Sequence, residues 1–314
     1  MSNFASGYMK YINHLEQINE GAVEYPERMI EEVEGAYEEN LRNIARNIRE
    51  HHSGVRVVML AGPSSSGKTT TAHLLRDYLS EYGGCAHIIS LDDFFRGRGL
   101  APVLPNGEYD YESIEALDVE KVIACLKAVT DTGRFTVPKY NFAAGKAEEE
   151  ERKYEIGKED IVIVEGIHGL NPVFTRELSP DACVKLYVSV KQQIKDANGE
   201  VISPKDICLV RRIVRDIQFR DTDAENTLSM WDGVVSGEDK YIRPYRITAD
   251  YTVNSIHIYE PCVLRTVAIP LLRGIAADSL HYRKARDLES RLMRFEPIDP
   301  ALVPKGSMLR EFLG

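Results

Sequence analysis

Apolar residues recur with a helical period early in the chain. In "PERMIEEVEGAYEENLRNIARNIREHH", Met29, Val33, Tyr37, Leu41, Ile44 and Ile48 fall three or four positions apart. That spacing predicts an amphipathic helix with a charged outer face, packed on the main body or on a second copy of the chain. From residue 55 the pattern changes to short continuous apolar runs, "VRVVMLAG", "AHIISL", "DIVIVEG" and "ACVKLYVSV", with "ADYTVN" as a fifth. Such runs are typical of strands buried on both faces of a parallel sheet. Between them lie helical stretches: "KTTTAHLLRDYLSEYG", closed by Gly83 and Gly84, and "DVEKVIACLKAVTDTG", with Asp118 as N-cap. Strands alternating with helices predict an α/β fold with a doubly wound, mostly parallel sheet. Two insertions precede the fifth strand. The Asn198–Gly199 pair predicts a small hairpin, and Ser203 followed by Pro204 predicts a helix start for "SPKDICLVRRIVRDIQFR". The tail from residue 296 carries three prolines and is expected to wrap the body in extended form.

Composition narrows the function classes. A hydrophobic content of 43% over 314 residues supports a substantial core, and a formal net charge of -10 argues against a general nucleic-acid or acidic-membrane binder. No apolar run approaches the roughly 18 residues of a membrane span. The N-terminus has no basic segment followed by a long apolar core, so no signal peptide is expected. The cysteines Cys85, Cys125, Cys183, Cys208 and Cys262 form no C-x-x-C pair, as expected of thiols in a reducing cytoplasm.

The candidate chemistry begins at "GPSSSGKT". Gly62, Pro63, Ser64, Ser65, Ser66, Gly67, Lys68 and Thr69 match the G-x-x-x-x-G-K-[ST] phosphate loop, set between a buried strand and a helix that opens with Lys68, Thr69 and Thr70. Loop N–H groups and the helix N-terminus point at phosphate oxygens, Lys68 adds charge at the β- and γ-phosphates, and the Thr69 hydroxyl is a Mg²⁺ ligand. The chain has no N-K-x-D or L-S-G-G-Q stretch. The pattern therefore favours a phosphotransferase using ATP on a small acceptor. In a doubly wound sheet the carboxyl ends of the strands open onto one crevice. Asp92 and Asp93 should leave the second strand there, and Glu165 the third. Glu165 suits the metal, and a carboxylate at the second strand suits removal of a proton from an acceptor hydroxyl. His168 is a rival base. On the helix after Pro204, Arg211 and Arg215 share a face at a spacing where like charges repel, which makes them phosphate-clamp candidates with Arg220 closing from the helix end. Arg212 can pair with Asp216.

These pieces, in order over roughly residues 55–275, resemble the uridine kinase and phosphoribulokinase family of P-loop kinases. "SLDDFF" resembles its D-x-F-Y element, which implies Asp92 as catalytic base, with Asp93 a turn, supporting or substrate-side group. "YDYESIEALD" resembles the segment whose first acid holds ribose hydroxyls, implying Glu112. "VPKYNF" implies Tyr140 as the base-contacting tyrosine, "VEGI" implies Glu165 at the metal, and "RRIVRDIQFR" resembles the lid helix, with Arg212 on the substrate side and Arg215 in catalysis. The resemblance implies a P-loop NTPase fold with a helical lid over about 203–240 inside a domain of 53–295, an N-terminal helical extension of 1–52 and a C-terminal tail of 296–314. It also implies ATP- and Mg²⁺-dependent phosphorylation of a small-molecule hydroxyl in the cytoplasm, the 5′-OH of a nucleoside first. A sugar, polyol or sugar phosphate acceptor is the alternative, and an ATP-binding regulatory module a second; a homo-oligomer stays open. Departures weaken the pyrimidine assignment. Gly145 stands where uridine kinases carry a base-reading histidine, Arg220-Asp221-Thr222 replaces R-G-R, Met230 replaces a glutamine, and Glu112 replaces an aspartate. The helical front and the "PKGSMLREFLG" tail resemble a long bacterial branch of uridine kinase-like proteins.

Overall fold

The computed structural model describes residues 13–104, 107, 109–141 and 144–314. The first twelve residues of the expected N-terminal extension lie outside that range. In chain order the helices and strands are α1 (Leu15–Glu24), α2 (Pro26–His51), β1 (Val57–Ala61), α3 (Lys68–Glu81), β2 (Ala86–Ser90), α4 (Val119–Asp131), β3 (Arg134–Val137), β4 (Tyr140–Asn141), β5 (Lys146–Ala147), β6 (Arg152–Glu155), β7 (Ile161–Glu165), β8 (Cys183–Ser189), β9 (Ile194–Asp196), β10 (Gly199–Ile202), α5 (Pro204–Phe219), α6 (Ala224–Tyr241), β11 (Tyr251–Asn254), α7 (Glu260–Arg273), α8 (Tyr282–Leu292) and α9 (Arg310–Leu313).

The apolar runs form one five-stranded parallel sheet in the order β11-β8-β1-β7-β2. Its central strands are buried on both faces because alternate side chains enter two different cores. Val58, Leu60, Ile161 and Ile163 join the core shared with α2, α3, α5 and α7. Val57, Met59, Val162 and Val164 join the core under α4. This is the doubly wound arrangement, with β1 in the middle and its carboxyl end at the centre of the crevice. The pairs β3–β6 and β4–β5 form a small antiparallel insertion beside β2, and β9–β10 is the hairpin turned by Asn198 and Gly199.

The local signals explain most boundaries. Asp118 caps α4 by accepting from the Lys121 N–H. Ser203 and Asp206 form a reciprocal capping box at the start of α5, with Pro204 at its first position. The expected amphipathic helix starts at Pro26, and a separate helix, α1, precedes it, ending at Tyr25. The expected apolar stripe of α2 is buried, and Tyr37 shares a 2.6 Å hydrogen bond with Thr71 of α3.

The C-terminal tail wraps the body as expected, but as an integral part of the core. Phe295, Ile298, Val303, Met308, Leu309 and Phe312 are buried, and α9 packs on α5. The prolines prevent one long helix, while the apolar residues between them fill the groove. A buried polar knot ties this tail to both ends of the molecule. Glu34 of α2 accepts from Tyr259 Oη and, at 2.5 Å, from Ser307 Oγ, with His257 Nε2 3.5 Å away. Burial alone would raise the Glu34 carboxyl, but the His257 charge and these hydrogen bonds outweigh it and hold the group down to about 2.

A depressed carboxyl contributes stability above its ordinary value and loses it as pH falls through the folded value. The Glu34 contribution should therefore be complete above about pH 4.5 and fade toward pH 2. Glu34→Gln should cost about 2–3 kcal/mol at neutral pH. Urea unfolding of both proteins from pH 7 to pH 3 should show the difference shrinking with acidity.

Candidate active site

The phosphate loop begins where β1 ends. Gly67 holds φ +85° at the first turn of α3, a left-handed conformation in which a side chain is strained. A Cβ there would also lie 2.7 Å from the Met308 sulfur, so the tail packs directly on the loop. Lys68 Nζ donates to the Pro63 carbonyl at 2.8 Å, which curls the side chain over the loop. Two of the chain's own carboxylates occupy the cradle's donors. Glu238 of α6 accepts from Ser64 N–H at 2.8 Å, and Glu311 of α9 accepts from Thr70 N–H at 3.2 Å and Thr70 Oγ1 at 3.0 Å.

The sheet brings the expected acids to the same edge. Ser90, the last residue of β2, links two of them: its hydroxyl donates to Glu165 Oε1 at 2.7 Å and accepts from the Asp92 N–H. Asp92 follows β2 with part of its surface open to solvent; the protein around its carboxyl raises its pKa, Lys68 and Arg220 oppose the rise, and Asp93 adds to it. Burial and the Asp92 charge push Glu165 up to about 7, against the Ser90 hydrogen bond and Lys68. Burial likewise raises Glu112, which feels Arg212, Lys68 and Asp92. Asp92, Glu112, Glu165 and Lys68 thus form one electrostatic unit.

Asp93 has a different task. It pairs with Arg152 of β6 and accepts from the Tyr140 N–H at 3.3 Å, so it anchors the antiparallel insertion instead of presenting its carboxylate freely to a substrate. Tyr140 packs against Phe95, with ring centroids 5.7 Å apart. Gly145 has φ +65°, and a Cβ there would sit 2.5 Å from Arg98 Cδ. The Arg98 side chain crosses the place where a base-reading histidine would stand.

The helix arginines divide into two groups. Arg211 departs from the expected phosphate clamp. It has no exposed surface, and its guanidinium is engaged by Glu260 at 2.6 and 2.8 Å, by the Ser255 carbonyl at 2.7 Å and by the Ser65 carbonyl at 3.2 Å. The like-charge spacing is relieved by this internal partner, with no phosphate needed. Arg212, Arg215 and Arg220 instead converge on Asp216, at 3.3, 2.6 and 3.7 Å. Arg212 also reaches Ser64 Oγ at 2.8 Å. Asp216 therefore gathers three cations over the loop, where the sequence suggested a single pairing with Arg212.

A cavity of about 490 Å³ is lined by Thr69, Ser90, Asp93, Arg152 and Glu165 among others. It places a threonine hydroxyl and a carboxylate, both hard oxygen donors, at the foot of the loop. That donor set fits Mg²⁺, which takes one or two protein oxygens and fills its octahedron with phosphate and water.

A profile described as the phosphoribulokinase / uridine kinase family matches residues 57–260. The chain belongs to that family. The match takes in the loop, β2, β7, α5 and Glu260. Among similar proteins, the uridine kinase of Clostridium botulinum (strain Okra / Type B1) is 28% identical over 198 residues, covering 63% of this chain and 86% of that protein. The uridine kinase of Saccharomyces cerevisiae is 26% identical over 204 residues, covering 64% of this chain and 37% of that one. A crystal structure described as a fructose transport system kinase from Silicibacter sp. TM1040 superposes with TM-score 0.51 at 22% identity, covering 68% of this chain and 98% of that one. At that identity the likeness speaks for the fold alone. Family membership makes the protein a phosphotransferase of the kinase type.

Some contacts had no signal in the sequence. Glu238 and Ser64 are 174 positions apart, and Glu311 and Thr70 are 241 apart. Neither acid carries a chemical signal in its local sequence, and the packing of α6 and α9 reveals them. Glu260 could have been suspected from the buried setting of Arg211, since a guanidinium in a core needs a counter-charge.

Glu260→Gln should leave Arg211 buried without its counter-charge and cost about 3–5 kcal/mol. Chemical denaturation should show the loss as a lower midpoint with an unchanged slope.

Proposed function

We propose that the protein transfers the γ-phosphoryl group of ATP, with Mg²⁺, to a hydroxyl of a small sugar-bearing acceptor, with the 5′-OH of a nucleoside as the leading case. The observation that carries this reading is Asp92 at the end of β2, its N–H bonded to the Ser90 hydroxyl that also holds Glu165, with Lys68 and Arg220 acting on its charge. A carboxylate held there can accept the hydroxyl proton while the two cations face the charge on the transferred group.

In this reading the acceptor oxygen forms its bond to the γ-phosphorus as the bond to the ADP oxygen breaks, and the proton passes to Asp92. Lys68 follows the β- and γ-oxygens. Arg215 and Arg220, gathered by Asp216, approach the transferred phosphoryl from the lid, and Arg212 lies between the loop and Glu112. Thr69 and Glu165 would hold Mg²⁺, which supplies charge neutralisation between the β- and γ-phosphates. Glu112 and Tyr140 border the acceptor. Glu238 sits on a loop N–H at the phosphate end, so nucleotide entry displaces its carboxylate or keeps it protonated. Burial, the first influence on Glu238, pushes its pKa up to about 7.

A non-nucleoside sugar or polyol is the second reading. It is favoured by Gly145, where Arg98 closes the position of the base-reading histidine.

A coupled ADP-release assay over nucleosides, free sugars, sugar phosphates and polyols decides the acceptor. Asp92→Asn should keep ATP affinity and lose turnover by roughly 10²–10⁴-fold. Near-normal turnover in that variant would remove Asp92 as the base.

The Mg²⁺ requirement should follow Glu165. A metal binds the ionised carboxylate, and the raised pKa means that ionisation is completed only above about 7. The half-saturating Mg²⁺ concentration should therefore fall about tenfold from pH 6 to pH 8. In Glu165→Gln that slope should vanish; the same slope in the variant would assign it to another group.

A further inference from the structure

The strands that carry Asp92 and Glu165 lie on one side of β1, and β8 and β11 lie on the other. On that other side a cavity of about 650 Å³ opens between the ends of β8 and β11, the start of α5 and the end of α6. Its apolar wall is made by Pro63, Tyr187, Val190, Cys208, Trp231 and Ile242. Ile247, 84% exposed, extends that surface at the mouth. Size and lining are those of a small-molecule site. Glu238 lines the cavity and also accepts from the Ser64 N–H at 2.8 Å, so its carboxylate forms the wall shared with the phosphate loop.

Four cations line the same cavity: Lys191, Lys205, Arg243 and Arg246. Asp239 pairs with two of them, with Lys205 at 3.5 Å and with Arg243 at 3.2 Å. Lys191 and Arg246 are left without an ion pair or a side-chain hydrogen bond among the described residues. The protein around the Lys191 ammonium lowers its pKa, and the Arg246 charge lowers it further. Two like charges beside an apolar wall repel each other, and an anion between them removes the repulsion. A bare anion would leave the apolar wall in water, and a neutral ring would leave the cations unmatched. A phosphate group carries close to two negative charges at neutral pH, which matches the two cations better than a carboxylate does.

We propose that this cavity is a second ligand site, separate from the phosphate loop, for a small phosphomonoester bearing an aromatic ring, with its phosphate between Lys191 and Arg246 and its ring on the wall of Tyr187 and Trp231. The inference goes beyond the kinase reading, in which neither Lys191 nor Arg246 has a part.

Trp231 is the single tryptophan of the chain, so its fluorescence reports on the cavity directly. Phenyl phosphate titrated into the protein saturated with ADP and Mg²⁺ should change that emission along a saturating curve. Inorganic phosphate and phenol should each bind roughly tenfold more weakly or worse, since each supplies half of the recognition. Lys191→Gln and Arg246→Gln should each weaken phenyl phosphate about tenfold and leave ADP affinity unchanged, while Lys191→Arg should keep most of the binding. Absence of a saturable change would overturn the inference, as would equal affinity for phenyl phosphate and inorganic phosphate. Unchanged phenyl phosphate affinity in both glutamine variants would overturn it too. Mutual displacement of phenyl phosphate and ADP would make the cavity one end of the nucleotide site and remove the second site. If ADP does not bind, the nucleotide reading fails by itself, and the three probes and the variants decide the cavity without it.

Discussion

The architecture of the cleft depends on one buried ion pair. Arg211 lies wholly inside the protein, and its donors reach Glu260 at the start of α7, Ser255 after β11 and the Ser65 carbonyl at the tip of the phosphate loop. Phe312 of the tail covers it, with the guanidinium 5.3 Å from the ring centroid. One side chain thus fixes α5, the loop, the end of the sheet and the C-terminal tail to one another. Separating such a pair costs about 3–5 kcal/mol, as much as many ligand contacts supply. The first half of α5 is thereby tied to the loop and to α7, while Arg215 and Arg220 lie beyond that anchor.

Around the loop, negative charge is in excess until a ligand arrives. Asp92, Glu112, Glu165 and Glu238 all have raised carboxyls, and burial is the first cause for each. Lys68 opposes all of these shifts, yet a single ammonium cannot neutralise the group. Such a site is satisfied by protons or by a divalent cation, and neutral pH makes the cation the better partner. The three arginines held by Asp216 supply the complementary field on the lid side. The cluster thus sets acids at the sheet edge and on α6 against cations on α5, the polarity that the proposed Mg²⁺ and phosphoryl group would require.

How far this was legible in the sequence depended on the range of each interaction. The strands were visible because burial on both faces leaves an uninterrupted apolar run, and the caps at Asp118 and Ser203 are local. Convergence of Asp92 and Glu165 followed from topology, since parallel strands deliver their carboxyl ends to one edge. Arg211 was misleading because helical spacing shows that two arginines share a face without showing what lies opposite. A buried glutamate 49 positions away satisfies the charge as well as a phosphate could. The tail was underestimated for a related reason. Prolines signal the absence of regular structure, but they do not report whether the apolar residues between them are covered.

In the proposed reading, specificity depends on which hydrogen-bonding groups the fold offers an acceptor. A site built to hydrogen-bond a hydroxyl rejects an analogue lacking it far more strongly than an apolar pocket rejects an extra methylene. At Gly145 the structure holds the shaft of Arg98 where a base reader would be. A pyrimidine therefore finds no imidazole partner at that point. In the proposed reading, recognition would therefore fall on the acceptor's hydroxyls, since Arg98 fills the space beside Gly145.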